Sequence, residues 1–448
     1  MTRDVLMVRE YASTTAPATS IAGTATPLPK GPVLGWSTWA WLPANPSTKH
    51  DIAHRSRRIM VTSGRAAILL ALKQLRLPSA SVVLVPSYHC PTMVAPVLLA
   101  GLQPDYYAID SDGLPDFSSV SVELIKRVKV VLVAHYFGLP RSLAKVRNWC
   151  DVHGVALIED CAHCLYGQAG ALPVGGWGDF ATASISKFLP VLEAGLLISR
   201  RKSIPKVRQV GQGLHAQIKG CFDLLEYATA HDRLRGLGWI VALCRMLKKP
   251  APQTWERSET DAGPGRACDA QAAMAACDMG RSDKKPLLVS MLLYCIIPTA
   301  RMQARRLSNY NLYAQQLEAV AGAHPLFKGP APSGTVPYVF PLWVDDADQV
   351  YGMARQSGLP VYRWDRPWPD RPSLPGDSGP GWNQHVLQLL CHQDLSAKEI
   401  EICAKALIGM IHLASADTQT LANREGPKPH LPAVAIPQTP AREAPETP

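Results

Sequence analysis

The amino-acid sequence predicts an α/β protein, with a large domain on a mostly parallel sheet followed by a smaller α+β C-terminal domain. Three observations predict it. Short apolar runs recur at 82–85 (VVLV), 129–134 (KVVLVA), 155–158 (VALI) and 195–199 (GLLIS), without the polar alternation of a sheet wetted on one side. Stretches with helical patterning separate several of them, as at 92–100 and 141–153, and strand–helix–strand order is the signature of a parallel sheet covered on both faces. After Pro298 the pattern changes to a long amphipathic stretch at 299–321, a strand-like run at 336–344 and helical segments at 347–356 and 396–411.

The domain plan that follows is a flexible arm at 1–30, a large domain at 31–296, a small domain at 297–414 and a Pro-rich disordered tail at 415–448. The arm is rich in Thr, Ala, Ser and Pro and lacks periodicity. Seven prolines between Asn423 and Pro448 rule out a packed helix there. Residues 215–265 fit neither domain and read as an atypical, insertion-like stretch; within it, WIVALCRMLKK (239–249) suits a helix packed on the body better than one lying on a membrane surface.

Bulk properties bound the function. A 448-residue chain with 47% hydrophobic and 18% charged residues has the composition of a soluble globular protein. No run reaches the roughly 18 apolar residues of a spanning helix, and the N-terminus lacks the apolar core of a signal peptide. Eleven cysteines without a regular framework suit a reducing cytoplasm. A net charge of +10 favours anionic partners, but no interleaved basic and aromatic stripe supports nucleic acid. Cys161 and Cys164 form a C-x-x-C without the second pair that zinc would need, so they read as packed thiols and no metal is expected.

Ligands of open parallel sheets lie outside the carboxyl ends of the strands, which directs attention to four places. Thr62-Ser63-Gly64-Arg65 opens a helical run, so free backbone N–H groups and the Arg65 guanidinium suit a phosphate, while Ser63 alone could be an ordinary cap. Tyr88-His89-Cys90 follows a strand and could supply a ring to stack on a flat cofactor, or could be a packing cluster. Glu159 and Asp160 end another strand, where two carboxylates are costly unless paired or ligand-bound. An Asp there can keep a pyridine nitrogen protonated and turn the ring into an electron sink. Lys187, among Phe180, Phe188, Leu189 and Pro190, would be desolvated enough to act as a nucleophile, although isolated lysines usually snorkel.

In this order the segments 63–72 (SGRAAILLAL), 83–90 (VLVPSYHC), 131–140 (VLVAHYFGLP), 153–167 (HGVALIEDCAHCLYG), 178–195 (GDFATASISKFLPVLEAG) and, more loosely, 305–313 (RRLSNYNLY) resemble the DegT/DnrJ/EryC1/StrS sugar aminotransferases. These are pyridoxal-phosphate (PLP) enzymes of the fold-type-I transferase class. The resemblance implies that Lys187 carries PLP as a Schiff base and that Asp160 partners the pyridine nitrogen. It places His163 near the ring hydroxyl, and Ser184 with the backbone of Gly64 and Arg65 around the phosphate. The usual stacking aromatic falls on Cys90, leaving Tyr88 or His89 to substitute, and His135 with Tyr136 falls on the strand-end loop facing substrate.

Departures stand beside these matches. The Ser184–Lys187 spacing is two residues shorter than the common form, and the doubled glycine after the lysine loop reads Glu193-Ala194-Gly195. The Asn-Tyr-Arg segment that normally reaches the neighbouring subunit's phosphate is not found, and 215–265 occupies its place. The implied function is transamination from an amino donor, glutamate by resemblance, to an anionic, nucleotide-linked keto-sugar for polysaccharide or glycoconjugate synthesis, in a cytoplasmic homodimer. The alternatives are dehydratase-type PLP chemistry, disfavoured by the presence of Lys187, and a non-catalytic PLP-fold binding or regulatory protein.

Overall fold

The computed structural model describes residues 26–40, 58–199, 204, 207–247, 269–332 and 334–425. Strand β1 (Arg58–Val61) turns into helix α1 (Gly64–Leu75). Then come β2 (Val82–Pro86), α2 (Pro91–Leu99), β3 (Gln103–Ile109), the short β4 (Pro115–Asp116), α3 (Val122–Arg127), β5 (Val128–Ala134), α4 (Ala144–His153) and β6 (Ala156–Cys161). A small ribbon of β7 (Gln168–Ala169) and β8 (Leu172–Pro173) precedes β9 (Phe180–Ser184) and β10 (Gly195–Ser199). The large sheet has the order β1-β10-β9-β6-β5-β2-β3-β4. Strands β3, β2, β5, β6 and β9 run parallel, and β4, β10 and β1 are antiparallel additions at the edges.

Side-chain alternation splits the interior into two layers. Val82, Leu84, Val131 and Val133 join one apolar cluster, whereas Val83, Val85, Val130 and Leu132 join the other with the inner face of α1. Every residue of β2, β9 and β10 is buried, which is why these segments read as unbroken apolar runs.

Helices α5 (Leu214–Ala230), α6 (Gly238–Leu247), α7 (Ala270–Ala276) and α8 (Leu288–Ile296) lie between the two domains in sequence. The small domain follows as α9 (Thr299–Gln316), β11 (Ala323–Pro325), β12 (Val339–Val344), α10 (Ala347–Gln356), β13 (Val361–Arg363), α11 (Gly379–His385), β14 (Val386–Leu390) and α12 (Ala397–Glu425). Its sheet is antiparallel, in the order β11-β12-β14-β13. One apolar cluster runs from β2 and β5 through to β12, β14 and α12, so the two domains share a continuous core.

Several expectations need correction. Residues 26–30, assigned to the flexible arm, are docked: Leu28 is buried, the Pro27 carbonyl contacts the His231 ring, and the Tyr362 hydroxyl donates to Lys30 O at 2.7 Å. Residues 1–25 lie outside the described residues. The last helix continues to Glu425 rather than stopping near 411, so 415–425 is not part of a disordered tail. Beyond Gly409 no Pro or Gly occurs before Gly426, and polar composition alone does not stop a helix. Residues 426–448 lie outside the described residues. Helix α9 stops at Gln316, five residues early, because the chain must turn into β11.

The insertion-like stretch is helical as α5 and α6, and 248–265 lies outside the described residues. Helix α6 seats Val241 but leaves Trp239, Leu243 and Met246 exposed, so the expectation of an ordinary packed helix holds for one face only.

Glycine is required where β10 meets the turn into α1. A Cβ on Gly195 would overlap the backbone carbonyl group of Ser63. The Gly195→Ala variant is expected to lose roughly 2–3 kcal/mol of stability, as overpacking against backbone does. Urea unfolding of the two proteins measures this, and an unchanged midpoint would show that the turn can move.

Candidate functional site

Strand β6 ends in two carboxylates, and strand alternation sends them to opposite sides. Glu159 is completely buried and accepts from the N–H groups of Gly175 (2.6 Å), Trp177 (2.9 Å) and Gly178 (3.0 Å), with His135 Nε2 at 2.8 Å. Burial alone would raise its pKa, yet the His135 contact and the Gly178 and Gly175 N–H groups bring it below the usual carboxylate range. Asp160 faces the other way, and its Oδ1 accepts from Ala162 N (3.0 Å) and Thr182 Oγ1 (3.1 Å), the residue opposite it on β9. Burial pushes its carboxyl upward, opposed by the Ala162 N–H, the Lys187 charge and the Thr182 hydroxyl.

Asp160 opens on a cavity of about 200 Å³ that is lined also by Thr62, Ser63, Gly64, Arg65, Ser184 and Lys187. Several of the residues that supply it sit at the ends of β1, β6 and β9; β10 lies between β1 and β9, antiparallel to both, so their carboxyl ends fall on the same edge of the sheet. Ser63 caps α1 by accepting from Ala66 N at 3.3 Å, so the first turn of a 12-residue helix points its free N–H groups at the cavity. Ser184 ends β9, and the one-turn 3₁₀ helix Ile185–Lys187 places Lys187 with its Nζ 5.1 Å from the centre of the Tyr338 ring.

His163 is buried against Tyr338 and Trp364, with ring centres 4.5 and 4.9 Å away. Its Nδ1 is buried and has no hydrogen-bond partner among the described residues. Burial, with the Lys187 charge adding, keeps this ring neutral by driving its pKa well down. A ring-shaped phosphorylated cofactor fits this arrangement. It offers an anion for the α1 terminus, a basic ring nitrogen for the buried Asp160 and a hydroxyl for the orphaned His163 Nδ1.

The structure therefore brings Gly64, Arg65, Asp160, Ser184 and Lys187 to one cavity, with His163 packed beside Lys187 through Tyr338. It does not bring the other four expected residues. Tyr88 is fully buried among Tyr136, Phe137, Trp364 and Trp382, and its hydroxyl accepts from Gln388. His89 is stacked on Tyr106, with Nδ1 on Pro86 O (2.9 Å) and Nε2 accepting from Trp368 N (2.9 Å). Neither can lie on a cofactor in the cavity, because both rings are committed to the core. His135 is spent on Glu159 and Tyr136 donates to Tyr88 O at 2.6 Å; the two line a small separate pocket with Asp112, Arg141 and Phe327, not the cavity of Lys187. In place of the expected stacking ring, Thr92 and Met93 from the start of α2 line the cavity.

Cys161, His135 and Glu159 form the one close trio of potential metal ligands among the described residues. The carboxylate is already saturated by four donors, and the trio belongs to the hydrogen-bonded anchor of the 175–178 loop. Burial raises the Cys161 and Cys164 thiols far above their usual range, which keeps both protonated and apolar in character.

Sequence reasoning missed Arg306. Its side chain is completely buried and stacks over Phe188 at 4.6 Å. It donates to Lys187 O (2.7 Å), Gln393 Oε1 (2.9 Å), Pro337 O (3.1 Å) and Tyr338 O (3.3 Å). The segment 305–313 was one of the resembling pieces, so a signal existed. Glu193, which also lines the cavity, shows in the sequence only as a departure from the doubled glycine, and Arg281 carried no signal.

Residues 50–210 match the model of the DegT/DnrJ/EryC1/StrS aminotransferase family. The chain is similar to GDP-perosamine synthase of Vibrio cholerae, at 30% identity over 176 residues that cover 37% of this chain and 47% of that protein. It spans less than half the length of the curated relatives it matches. Among solved structures it resembles an aminotransferase from Streptoalloteichus hindustanus, with a TM-score of 0.52 and 20% identity over 81% of this chain and 86% of that one. It also resembles the E. coli GDP-4-keto-6-deoxy-D-mannose-3-dehydratase with bound hydrated PLP, with a TM-score of 0.50 and 15% identity over 78% and 87% of the two chains. These likenesses show the fold: an α/β chain with the architecture of PLP-dependent aminotransferases, as the sequence predicted.

Two measurements probe the site's supports. Replacing Arg306 by Met takes a donor from four buried acceptors, of which the Pro337 and Tyr338 carbonyls keep the weak Cys391 thiol, and is expected to cost about 3 kcal/mol, read from denaturant midpoints; a loss under about 1 kcal/mol would mean that the acceptors find other donors. His89 is held down at about 4, chiefly by burial, whereas an unfolded histidine titrates near ~6.5. Between those values the unfolded chain binds a proton that the folded one refuses, so stability falls as pH drops from about 6.5 toward 4, by up to about 3 kcal/mol. His89→Gln, which keeps an acceptor for Trp368, is expected to flatten the fall in urea midpoint between pH 7.5 and 5; parallel pH profiles would remove His89 from the account.

Proposed function

We propose that this chain, matched by the DegT/DnrJ/EryC1/StrS model over residues 50–210, is a PLP-dependent aminotransferase that aminates a keto-sugar carried on a nucleotide. The observation that carries the reading is the meeting of Lys187, Asp160, Ser184 and the α1 N-terminus at one cavity. Lys187 would hold the cofactor covalently, Asp160 would pair with its ring nitrogen and His163 Nδ1 would meet its ring hydroxyl. Gly64, Arg65 and Ser184 would hold its phosphate. When bound, PLP supplies an electron sink for carbanion character beside the amino group.

The chain's own residues do the rest. Lys187 Nζ, once released from the cofactor, would be the proton carrier at the reacting carbon, a general base and then a general acid. Asp160, buried and fixed by Thr182 and Ala162, would present its carboxylate to the ring nitrogen with little competition from water. Tyr338 and Trp364, with His163 between them, wall off the lysine side and exclude solvent from the proton transfer.

Glutamate as donor, a product that feeds polysaccharide or glycoconjugate synthesis, and a cytoplasmic setting complete the proposal. The GDP-perosamine synthase likeness supports a nucleotide-linked sugar, and the net charge of +10 suits its phosphates. A homodimer is supported by the apolar residues that α5 and α8 leave exposed, among them Leu214, Ile218, Leu288 and Leu292. Among the described residues no helix is long and apolar enough to cross a membrane.

An absorption spectrum of the purified protein with added PLP, for wild type and Lys187→Ala, tests the reading. The expected result is a visible band in the wild type that is lost in the variant and bleached by glutamate. No band in the wild type would overturn the proposal in favour of a non-catalytic protein on this fold. A band indifferent to glutamate but bleached by another amino acid would correct the donor alone.

A further inference from the structure

The α1 end of the cavity holds a second arginine that no sequence pattern announced. Arg281 lines the cavity with Thr62, Ser63, Gly64 and Arg65, and its carbonyl accepts from Thr62 Oγ1 at 2.9 Å, two residues before α1 begins. Its side chain is mostly buried, at 17% exposure. Nη2 donates to Glu193 Oε2 and, at 3.0 Å, to Gln212 Oε1. Its Nη1 and Nε make no hydrogen bond to the described residues.

Glu193 does not depend on Arg281 alone. Its Oε1 also accepts from Gln212 Nε2 (2.6 Å) and Leu287 N (2.7 Å). Gln212 in turn donates to Lys285 O at 2.8 Å, so the carboxylate is fixed from both flanks of the 281–287 segment. A guanidinium held on one nitrogen by a fixed carboxylate, on a side chain that lines a cavity, is placed to take a second oxyanion. The charges that line the cavity, Arg65, Lys187 and Arg281 against Asp160, Glu193 and Asp278, balance without a ligand. A phosphate dianion can then draw on Arg281 while Glu193 keeps its Gln212 and Leu287 donors.

We infer that Arg281 binds the phosphate of the cofactor from within the same chain, with Glu193 and Gln212 as the residues that position it. The inference rests on the proposed PLP site, and it assigns the 278–287 segment a part in that site.

The test is titration of wild type, Arg281→Gln and Arg281→Lys with PLP and with pyridoxal, which lacks the phosphate, followed by absorbance. A control variant is Arg235→Gln, at an exposed position remote from the cavity lining. Loss of a charge-assisted contact is expected to weaken PLP binding by Arg281→Gln on the order of ten- to a hundredfold, with pyridoxal binding unchanged and Arg281→Lys intermediate. Equal PLP affinity in wild type and Arg281→Gln, or an equal loss for pyridoxal, would overturn it. If the wild type gives no band with PLP, the functional reading fails and the anion site is read separately. Inorganic phosphate should then raise the melting temperature of wild type and Arg235→Gln but not of Arg281→Gln, and no rise in the wild type would overturn the inference as well.

Discussion

Much of this structure hangs on one buried guanidinium. Arg306 belongs to the first helix of the small domain, yet it donates to the carbonyl of Lys187 in the large domain and to two carbonyls just before β12. A buried charge of this kind is costly unless each donor is satisfied, and here Gln393 and the face of Phe188 complete the set. Gln393 itself donates to Phe188 O at 2.9 Å, so the short turn around the lysine is held from the small domain at two consecutive residues. The position of the candidate nucleophile is therefore set by interdomain packing as much as by its own strand.

The pair Glu159 and Asp160 shows how one strand end separates structure from chemistry. Four donors satisfy Glu159, and the loop 175–178 is wrapped around it. Asp160 receives two hydrogen bonds on a single oxygen and lines the cavity. Adjacent residues of a strand differ by half a turn, so identical chemistry next door in sequence ends on opposite faces with opposite pKa directions.

The aromatic residues follow a similar division. Tyr88, Tyr136, Phe137, Trp364 and Trp382 interlock beneath the junction of the two domains. Gly138 fits there only because it lacks a side chain, since its φ is +83° and a Cβ would strike the Tyr338 backbone. Rings that could have stacked on a cofactor instead cement the domains, and among the described residues Tyr338 and Trp364 are the rings packed on His163.

The sequence by itself determined four strands of the large sheet and most helix positions, and it pointed to Asp160, Ser184 and Lys187, which share one cavity. Buried parallel strands leave unbroken apolar runs, and the residues just past their ends are the ones that meet a ligand. It could not determine which way a strand-end ring turns, because Tyr88 and His89 are steered by Gln388, Tyr106 and Trp368, some of them hundreds of positions away. Nor could it bring Arg281 to Glu193 or Arg306 to Lys187, contacts that span 88 and 119 positions. Such long-range partners leave no local period or motif, so only the tertiary structure decided which charges share the cavity.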